Sequence, residues 1–371
     1  MRIAHIGCKG LPSQGGTERV VEAVATRHAP RHEITVYGRP DVCTCRVVGG
    51  VRVLAVSRSR HKYLGPVMLG ITSCFDALLR QSYDVVHVHG AENAFIVPLL
   101  RLRYPVVTTN HGPAYERAKW GPLARAIMRA TERISVRSAS RCTAVAQAQA
   151  DALTTRYRRS VQFVPNGVDA EISSNLDAAR LLLEEYRVSG PFVLFAAARV
   201  DPTKGCHTLI EAFRLGAFQE TRTLVVVGDL WHVPAYEAEL RDMARGMRVT
   251  FIPRLQDKAT LIGLLQSADL FVFPSLVEAM SMMLLEAVSV GVPGIASDIR
   301  ENTDILPAGY LLFRAGDASD LVRALNDFFG APRSEMRARA EAYARATVER
   351  YDWNVISDQY ERIYAELAGS R

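Results

Sequence analysis

The chain has 371 residues, of which 49% are hydrophobic and 23% charged, as is typical of a soluble globular protein long enough for two domains. Its net charge of +6 conceals an asymmetry, since residues 1–170 hold 24 Lys and Arg against 11 Asp and Glu, whereas residues 171–371 hold 21 against 28. The six scattered cysteines match no zinc spacing or paired disulfide framework, and no apolar run approaches the ~20 residues that span a bilayer.

The cysteines are expected to be reduced thiols in a cytoplasmic protein. The chain begins directly with a strand-like segment, so no secretory leader is expected. The excess of positive charge in residues 1–170 suggests that only this half meets an anionic surface, the alternative being charge that merely maintains solubility.

The first half alternates strand-like and helix-like segments. Apolar runs predict strands at 2–6, 33–37, 51–56, 85–89, 106–109, 141–145 and 161–164. Amphipathic patterns between them predict helices at 17–28, 67–80, 122–138 and 146–156. Because strands that alternate with helices form parallel sheets, this half is predicted to be a doubly wound, Rossmann-like α/β domain.

A glycine-rich loop follows the first strand, and Gly15 and Gly16 stand where the next helix begins. Glycine lets a backbone approach a ligand closely, and a helix N-terminus offers N–H groups to an anion. The loop lacks the G-x-G-x-x-G pattern and the acidic residue of a nicotinamide site. We therefore interpret it as part of a site for another anionic ligand, the alternative being a tight turn without function.

Three histidines lie on or directly after two of the following strands. His87 and His89 share one face of a strand and could bind a metal. No third ligand lies at a sequence spacing typical of a metal site, so a packed or hydrogen-bonded pair of histidines is the favoured interpretation. His111 lies between a strand and Gly112, where it either points toward a ligand or forms a local hydrogen bond within a loop.

The first half also contains a strongly basic segment. Residues 115–141 hold seven Lys and Arg against two Glu, and Arg125, Arg129 and Arg133 recur every fourth residue. A second basic stretch at 58–62 precedes an apolar helix. Basic stripes beside aromatic residues favour an anionic membrane surface. RNA is a weaker rival because no RNA-binding module is recognisable, and a solvated basic face is the simplest alternative.

The alternation begins again in the second half, after a helical connector at 171–187. Strands are predicted at 193–197, 223–227, 248–252, 270–273 and 292–297, with helices at 206–215, 234–244, 258–267 and 281–290. Two amphipathic helices at 332–349 and 353–367 end the chain. We predict domains at 1–170 and 171–350, a last helix at 351–371 that crosses back to the first domain, and a ligand in the cleft between the domains.

Arg199 and Lys204 stand five residues apart in the turn after the strand at 193–197. A guanidinium can grip phosphate oxygens in a fork and an ammonium supplies a point charge, so the two could hold one diphosphate. The alternative is a basic turn that caps the next helix. Asn166, in the turn between the two halves, is a weaker candidate because Asn-Gly is a common turn without function.

The most informative motif is the pair Glu278 and Glu286, which follows the strand at 270–273. On one helix, a spacing of eight residues would place both carboxylates near one face and roughly 12 Å apart. That span suits a ligand with hydroxyls at both ends and negative charge between them, such as a nucleotide sugar. The alternative is a solvated pair whose first acid interacts with the helix dipole.

Together these segments resemble the retaining glycosyltransferases of family 4, whose GT-B fold consists of two Rossmann-like domains that face each other across a cleft. The resemblance covers nearly the whole chain, and the E-x7-E pair is its most specific element. It rests on the glycine-rich first loop, that pair, Arg199 with Lys204, and the segments 84–90, 108–112 and 164–169.

The resemblance implies roles for the second half of the chain. Arg199 and Lys204 would hold the donor diphosphate, Glu278 would contact hydroxyls of the donor sugar, and Glu286 would contact those of the ribose. Most members carry glycine at the positions of Ala279 and Ser281 and an aromatic residue at that of Met280, so the donor sugar stays open.

The remaining implied contacts involve mainly backbone groups. Gly15 and Gly16 would approach the phosphate, and His111 would face the transferred sugar. The N–H groups around Ser281 and Met282, at the start of a helix, would assist the departing phosphate. Ser281 also keeps an oxygen that can cap that helix.

The implied reaction needs no protein nucleophile, no metal and no other cofactor. A sugar would pass from a nucleotide sugar to a hydroxyl of a glycan or a lipid-linked acceptor, with its anomeric configuration retained. We expect a cytoplasmic protein, peripheral at the inner face of the plasma membrane, that acts in bacterial surface polysaccharide or glycolipid synthesis and binds no nucleic acid. The alternatives are a sugar-nucleotide epimerase or hydrolase, and a non-catalytic membrane-associated protein that binds nucleotide sugars.

Overall fold

The computed structural model describes residues 1–13, 15–57, 64–112 and 121–369. The chain divides into two compact units, which we call the N-terminal unit (Met1–Gly167 with Trp353–Arg371) and the C-terminal unit (Val168–Asp352). Each unit contains a sheet of its own with helices between successive strands. Within the described residues, no helix combines the length and the apolar character needed to cross a bilayer.

The sheet of the N-terminal unit is parallel except at one edge, where β3 runs antiparallel to β4. Its strands in the described residues are β1 (Arg2–Ile6), β2 (Glu33–Gly38), β3 (Val47–Val48), β4 (Val51–Ala55), β5 (Val85–His89), β6 (Val106–Asn110), β7 (Arg141–Ala144) and β8 (Gln162–Phe163). They are arranged in the order β3-β4-β2-β1-β5-β6-β7-β8. The central strands are buried throughout because both faces of a doubly wound sheet are covered.

Five α-helices of this unit lie between successive strands in the described residues. They are α1 (Gly16–His28), α2 (Leu64–Arg80), α3 (Val97–Leu100), α4 (Pro122–Ser138) and α5 (Gln147–Tyr157). The helix α4 begins at Pro122, after Gly121 in an extended conformation, which suits a proline that lacks the N–H otherwise left unpaired in a first turn.

The C-terminal unit has a fully parallel sheet within the described residues. Its strands are β9 (Phe192–Arg199), β10 (Thr223–Asp229), β11 (Val249–Ile252), β12 (Leu270–Phe273), β13 (Gly294–Ser297) and β14 (Leu311–Phe313), in the order β11-β10-β9-β12-β13-β14. Its helices are α6 (Leu176–Glu185), α7 (Cys206–Leu215), α8 (Pro234–Met243), α9 (Lys258–Ser267), α10 (Met282–Ser289), α11 (Arg300–Thr303), α12 (Ala318–Gly330) and α13 (Arg333–Tyr351). A core that includes Phe195, Phe213 and Leu325 holds sheet and helices together.

The final helix, α14 (Trp353–Gly369), belongs to the N-terminal unit and packs against α1. Tyr360 and Tyr364 of α14 are buried in that unit. The Tyr364 hydroxyl lies 2.6 Å from Nδ1 of His87 on β5, and the ring of His28 on α1 lies 3.0 Å from the Ser357 carbonyl oxygen. The N-terminal unit is therefore completed by residues from the end of the chain.

The predicted doubly wound α/β architecture is confirmed in both units. The bounds of β1, β5, β12, α4, α7 and α9 agree with the prediction residue for residue. The edge strands β3 and β14 and the helix α12 were not predicted. Both strands have three residues or fewer, too short to show an alternating pattern.

The order of the strands identifies where each sheet can bind a ligand. In the N-terminal unit, the strands β2 to β4 lie on one side of β1 in the sheet, whereas β5 and the later strands lie on its other side. The order of the strands therefore reverses between β1 and β5. In the C-terminal unit the corresponding reversal lies between β9 and β12. Ligands of doubly wound sheets bind at the carboxyl ends of the strands beside such a reversal.

Candidate functional site

The carboxyl ends of β9 and β12 carry the charged residues that the sequence indicated. Arg199 is the last residue of β9 and is exposed. Lys204 ends a short 3-10 helix (Pro202–Lys204) after it, and Asp201 caps this helix with a side-chain oxygen that accepts a hydrogen bond of 3.0 Å from the Thr203 N–H. Glu278 lies in the loop after β12. All three residues therefore lie at or just after the carboxyl ends of the two strands beside the reversal in strand order.

The two loops are joined by backbone contacts. The Leu276 N–H donates to the Thr203 carbonyl oxygen at 2.8 Å. Gly205 has a φ of +67°, and a Cβ atom built on it would lie 2.0 Å from the Pro274 carbonyl oxygen. Both the left-handed conformation and the close approach require glycine at this position. Gly205 thereby allows the segment that carries Lys204 to lie directly against the end of β12.

This approach brings Lys204 and Glu278 into contact. The Lys204 ammonium donates to Oε1 of Glu278 at 2.6 Å, and the Ser275 hydroxyl donates to the same oxygen at 2.9 Å. The Glu278 side chain is only 10% exposed, whereas that of Lys204 is 25% exposed. The carboxylate is thus held in one place by two donors, and the ammonium has further N–H groups with which to bind an anion.

The expectation that Glu278 and Glu286 share one helix face is wrong. The helix α10 begins at Met282, because the Ser281 hydroxyl oxygen accepts from the Leu284 N–H at 3.3 Å and caps it. Glu278 precedes this cap and lies in the loop, while Glu286 lies within the helix. The physical reason is that a capping residue adopts a non-helical conformation, which ends the helix before it reaches Glu278.

Glu286 is buried and paired with a lysine that the sequence did not indicate. Oε1 of Glu286 lies 3.0 Å from Nζ of Lys258 at the start of α9, and the same Nζ lies 3.9 Å from a carboxylate oxygen of Asp169. A buried carboxylate requires such a partner. Neither Lys258 nor Ser275 stands in a recognisable motif, so only the arrangement of the strands reveals them as partners of the two glutamates.

The glycines of the first loop lie where predicted, at the start of α1. Gly15 is the residue before the helix and Gly16 its first residue. A Cβ atom on Gly16 would have no heavy atom within 4 Å, and one on Gly15 would meet only the Glu18 carboxylate, at 2.5 Å. Neither has the positive φ that favours glycine. Within the described residues, the local packing therefore gives no reason for glycine at position 16.

Asn166 and His111 also lie in the N-terminal unit. Asn166 is buried and follows β8. His111 follows β6, is partly buried, and has its Nε2 atom 3.2 Å from Nδ1 of His89. Burial lowers the pKa of His111 to about 4, so the ring is neutral at neutral pH.

His111 continues into a group of buried histidines. Nδ1 of His5 on β1 lies 3.0 Å from Nε2 of His89, and the two nitrogens of His87 lie 2.6 Å from Tyr364 and from Thr109. One nitrogen from each of His5, His87 and His89 could face a common metal ion, since all three lie within 4.8 Å of one another. Five of their six ring nitrogens already have hydrogen-bond partners, as expected for a packed, hydrogen-bonded group.

The structure describes residues 121–141 of the basic segment at 115–141. Arg129 and Arg133 are exposed on α4, but Arg125 is only partly exposed and its Nε atom is buried. The predicted stripe of three arginines is therefore reduced to two on the exposed face. The stretch 58–62 and residues 115–120 lie outside the described residues.

Comparison with known proteins identifies the family. The model described as "Glycosyltransferase Family 4" matches residues 14–172, and the model described as "Glycosyl transferases group 1" matches residues 184–347. The chain belongs to glycosyltransferase family 4. It is a glycosyltransferase with the GT-B type of fold, which confirms the family and the activity class expected from the sequence.

Individual relatives in the family have different substrates by name. A phosphatidyl-myo-inositol mannosyltransferase of Mycolicibacterium smegmatis is 29% identical over 303 residues, which cover 78% of this chain and 72% of the relative. A glycogen synthase of Mycobacterium tuberculosis is 27% identical, over 96% of this chain and 92% of its own. Anabaena HepE in complex with UDP and glucose has a TM-score of 0.81 at 20% identity, over 99% of this chain and 100% of its own, which shows a common fold.

Proposed function

We propose that this family 4 glycosyltransferase moves a sugar, with retention, from a nucleotide sugar to a hydroxyl of a glycan or lipid-linked acceptor, without a metal ion. The observation that carries the proposal is the Lys204–Glu278 contact at the reversal in strand order of the C-terminal unit, beside Arg199 and the capped start of α10. The cationic groups suit a diphosphate and the carboxylate suits sugar hydroxyls.

The proposed reaction proceeds by stabilisation of the leaving group. The bond between the anomeric carbon and the diphosphate oxygen breaks while Arg199, Lys204 and the N–H groups of Ser281 and Met282 neutralise the growing negative charge. The acceptor hydroxyl forms the new bond on the same face of the sugar. Its proton passes to an oxygen of the departing phosphate, so that no protein base is consumed.

The other site residues are proposed to bind and orient the donor. Glu278, fixed by Lys204 and Ser275, accepts hydrogen bonds from hydroxyls of the transferred sugar. Glu286, fixed by Lys258, accepts those of the ribose. For the N-terminal unit we propose that Gly16, together with Gly15, allows backbone approach to phosphate. Asn166 is the weakest of the proposed donor contacts.

One finding favours a nucleoside diphosphate as the donor carrier. Anabaena HepE, which has the same fold, was crystallised with UDP and with UDP-glucose. The names of the matched mannosyltransferase and glycogen synthase describe different reactions, so they favour no single sugar for this chain. We therefore propose a nucleoside diphosphate sugar without specifying its base or sugar.

A panel of nucleotides and nucleotide sugars tests this proposal. Thermal unfolding of the purified protein is expected to shift upward with one nucleoside diphosphate and its sugar conjugate, because a ligand that binds only the folded state stabilises it, by about 2.7 kcal/mol at 100 times its Kd. Product analysis then uses that donor with and without glycan and glycolipid acceptors. Consumption of the donor alone supports an epimerase or hydrolase, and binding without turnover supports a non-catalytic protein.

Removal of divalent metals tests the proposed metal independence. Transfer rates are expected to be the same in excess EDTA and in added magnesium, because Arg199, Lys204 and the start of α10 are proposed to neutralise the diphosphate. The assay compares initial rates after dialysis against EDTA. Strict dependence on added magnesium contradicts this part of the proposal.

The acceptor side is proposed to lie at an anionic membrane. Large apolar side chains are exposed on α2, α4 and the residues after α3, and α3 contacts both α2 and α4. They include Phe75, Leu79, Leu102, Leu123 and Ile127. Exposed apolar groups close to exposed arginines of α4 suit the interface of an anionic bilayer. One relative acts by name on a phosphatidylinositol lipid, which agrees with such a location.

Vesicle sedimentation tests the membrane proposal. The double variant Arg129→Gln and Arg133→Gln is expected to bind phosphatidylglycerol vesicles ~30-fold more weakly, since each arginine near an anionic surface contributes about 1 kcal/mol. The matched control, Arg180→Gln with Arg245→Gln, removes two exposed arginines from the C-terminal unit. Equal losses in both double variants, or equal binding to zwitterionic vesicles, contradict the proposal.

A further inference from the structure

The buried histidines of the N-terminal unit form a hydrogen-bonded chain that ends at His111. His5 lies on β1, His89 at the end of β5 and His111 just after β6, on three neighbouring parallel strands. Nδ1 of His5 lies 3.0 Å from Nε2 of His89, and Nδ1 of His89 lies 3.2 Å from Nε2 of His111. The chain thus lies at the reversal in strand order between β1 and β5.

The three rings are neutral, which limits how the chain can be protonated. Burial lowers the pKa of His5 to about 3 and holds that of His89 well below its ordinary value. A neutral imidazole has one N–H donor and one acceptor nitrogen. Because His89 uses both nitrogens within the chain, the two hydrogen bonds must point in the same direction, either toward His111 or toward His5.

The inner end of the chain determines which direction is favoured. Nε2 of His5 is buried and has no hydrogen-bond partner in the described residues. If the hydrogen bonds pointed toward His5, this nitrogen would carry a proton with no acceptor. In the opposite direction it carries only a lone pair. Buried N–H groups without an acceptor are rarer in proteins than buried acceptors without a donor, so the hydrogen bonds run from His5 through His89 to His111.

We propose that His89, oriented by His5, is a positioning residue that holds His111 in the tautomer protonated on Nδ1, so that His111 offers a substrate oxygen a hydrogen-bond donor. This inference rests on the proposed function only for the identity of that oxygen, a hydroxyl of the transferred sugar. It assigns His111 the role of a donor and excludes it as a general base, because its second nitrogen accepts from His89.

Nitrogen NMR of the imidazoles tests the tautomer without any substrate. In two-bond proton–nitrogen spectra of the labelled full-length protein at neutral pH, His111 is expected to show a protonated Nδ1 and an unprotonated Nε2. His89→Phe removes the partner of Nε2 and is expected to give a mixture of both tautomers. His89→Asn, whose amide can still donate, is expected to restore most of the original tautomer.

His87→Asn is the matched control, because His87 is equally buried, lies two residues away on the same strand, and takes no part in the chain. It is expected to leave the His111 tautomer unchanged. A wild-type His111 protonated on Nε2 overturns the proposal, and so does a His89→Phe variant whose His111 tautomer equals that of the wild type.

Kinetics with the donor identified by the nucleotide-sugar panel give a second measurement. An even mixture of tautomers halves the competent fraction, so His89→Phe is expected to lower kcat/KM on the order of 2-fold from this cause alone, and His89→Asn to recover it. The NMR result does not depend on turnover. Absence of transferase activity therefore refutes the proposed function, while the tautomer of His111 is decided by the NMR spectra alone.

Discussion

Arg199→Ala and Lys204→Ala are each expected to lower kcat by about 10²- to 10³-fold, the loss found when one preorganised group that stabilises developing charge is removed. Lys204 is fixed by its 2.6 Å contact with Glu278, and Arg199 ends β9 beside the same reversal in strand order. Groups already in position need not reorganise when negative charge develops on the diphosphate, which is why their loss affects turnover so strongly.

The measurement is kcat for transfer, with thermal unfolding of each variant as the test of folding. Lys204→Met keeps the aliphatic stem and removes only the charge, so it separates loss of packing from loss of the cation. Arg180→Ala, which removes an exposed arginine paired with Glu184 on α6, is the control and is expected to retain full activity. Wild-type rates in both Arg199→Ala and Lys204→Ala contradict the proposal that these two residues stabilise the leaving diphosphate.

Glu278→Ala is expected to lower kcat by on the order of 100-fold for two reasons. It removes the proposed acceptor for sugar hydroxyls, and it releases the Lys204 ammonium and the Ser275 hydroxyl that Glu278 holds. Glu278→Gln keeps the shape but removes the charge that fixes Lys204, so it is expected to lose activity as well. By contrast, Glu286→Gln is expected chiefly to raise the KM for the nucleotide sugar.

A double-mutant cycle separates these two reasons. If Glu278 acts partly by fixing Lys204, the effects of Glu278→Ala and Lys204→Ala on kcat are not additive, and the double variant is little slower than the slower single variant. Glu335→Ala removes an exposed glutamate that is hydrogen-bonded to Arg339 on α13, and it is the control for loss of a surface carboxylate. Fully additive losses contradict a positioning role for Glu278.

The sequence alone was sufficient for the elements with strong patterns. The helix α4 has a proline at its first position and a clear apolar period, α7 lies between two glycines, and α9 follows a capping aspartate, so these limits could be predicted. The strand β3 has only two residues, and its pairing with β4 is marked only by the turn between them, Gly49-Gly50, whose φ values of +53° and +81° are those of a tight hairpin. Local periodicity cannot indicate a strand that exists only through its neighbour.

The candidate site was predicted less completely than the fold. Arg199 and Lys204 could be chosen because ligands bind at the carboxyl ends of parallel strands, and the two glutamates because of their spacing in the E-x7-E pair. Their partners could not be, because Lys204 and Glu278 are 74 positions apart and meet only when β9 and β12 become neighbours. The same reasoning applies to His5 and His89, which lie 84 positions apart in the sequence.

The return of α14 to the N-terminal unit bears on how the protein is made. All of Val168–Asp352 leaves the ribosome before Trp353–Gly369, so the second half can finish folding while the first still lacks Tyr360, Tyr364 and the Ser357 carbonyl that contacts His28. Until α14 has been synthesised, the side of the first half that it later covers is exposed to water or chaperones. A fragment that stops at Gly167 keeps that surface uncovered permanently, so expression of the first half alone requires the last helix to be attached through an engineered linker.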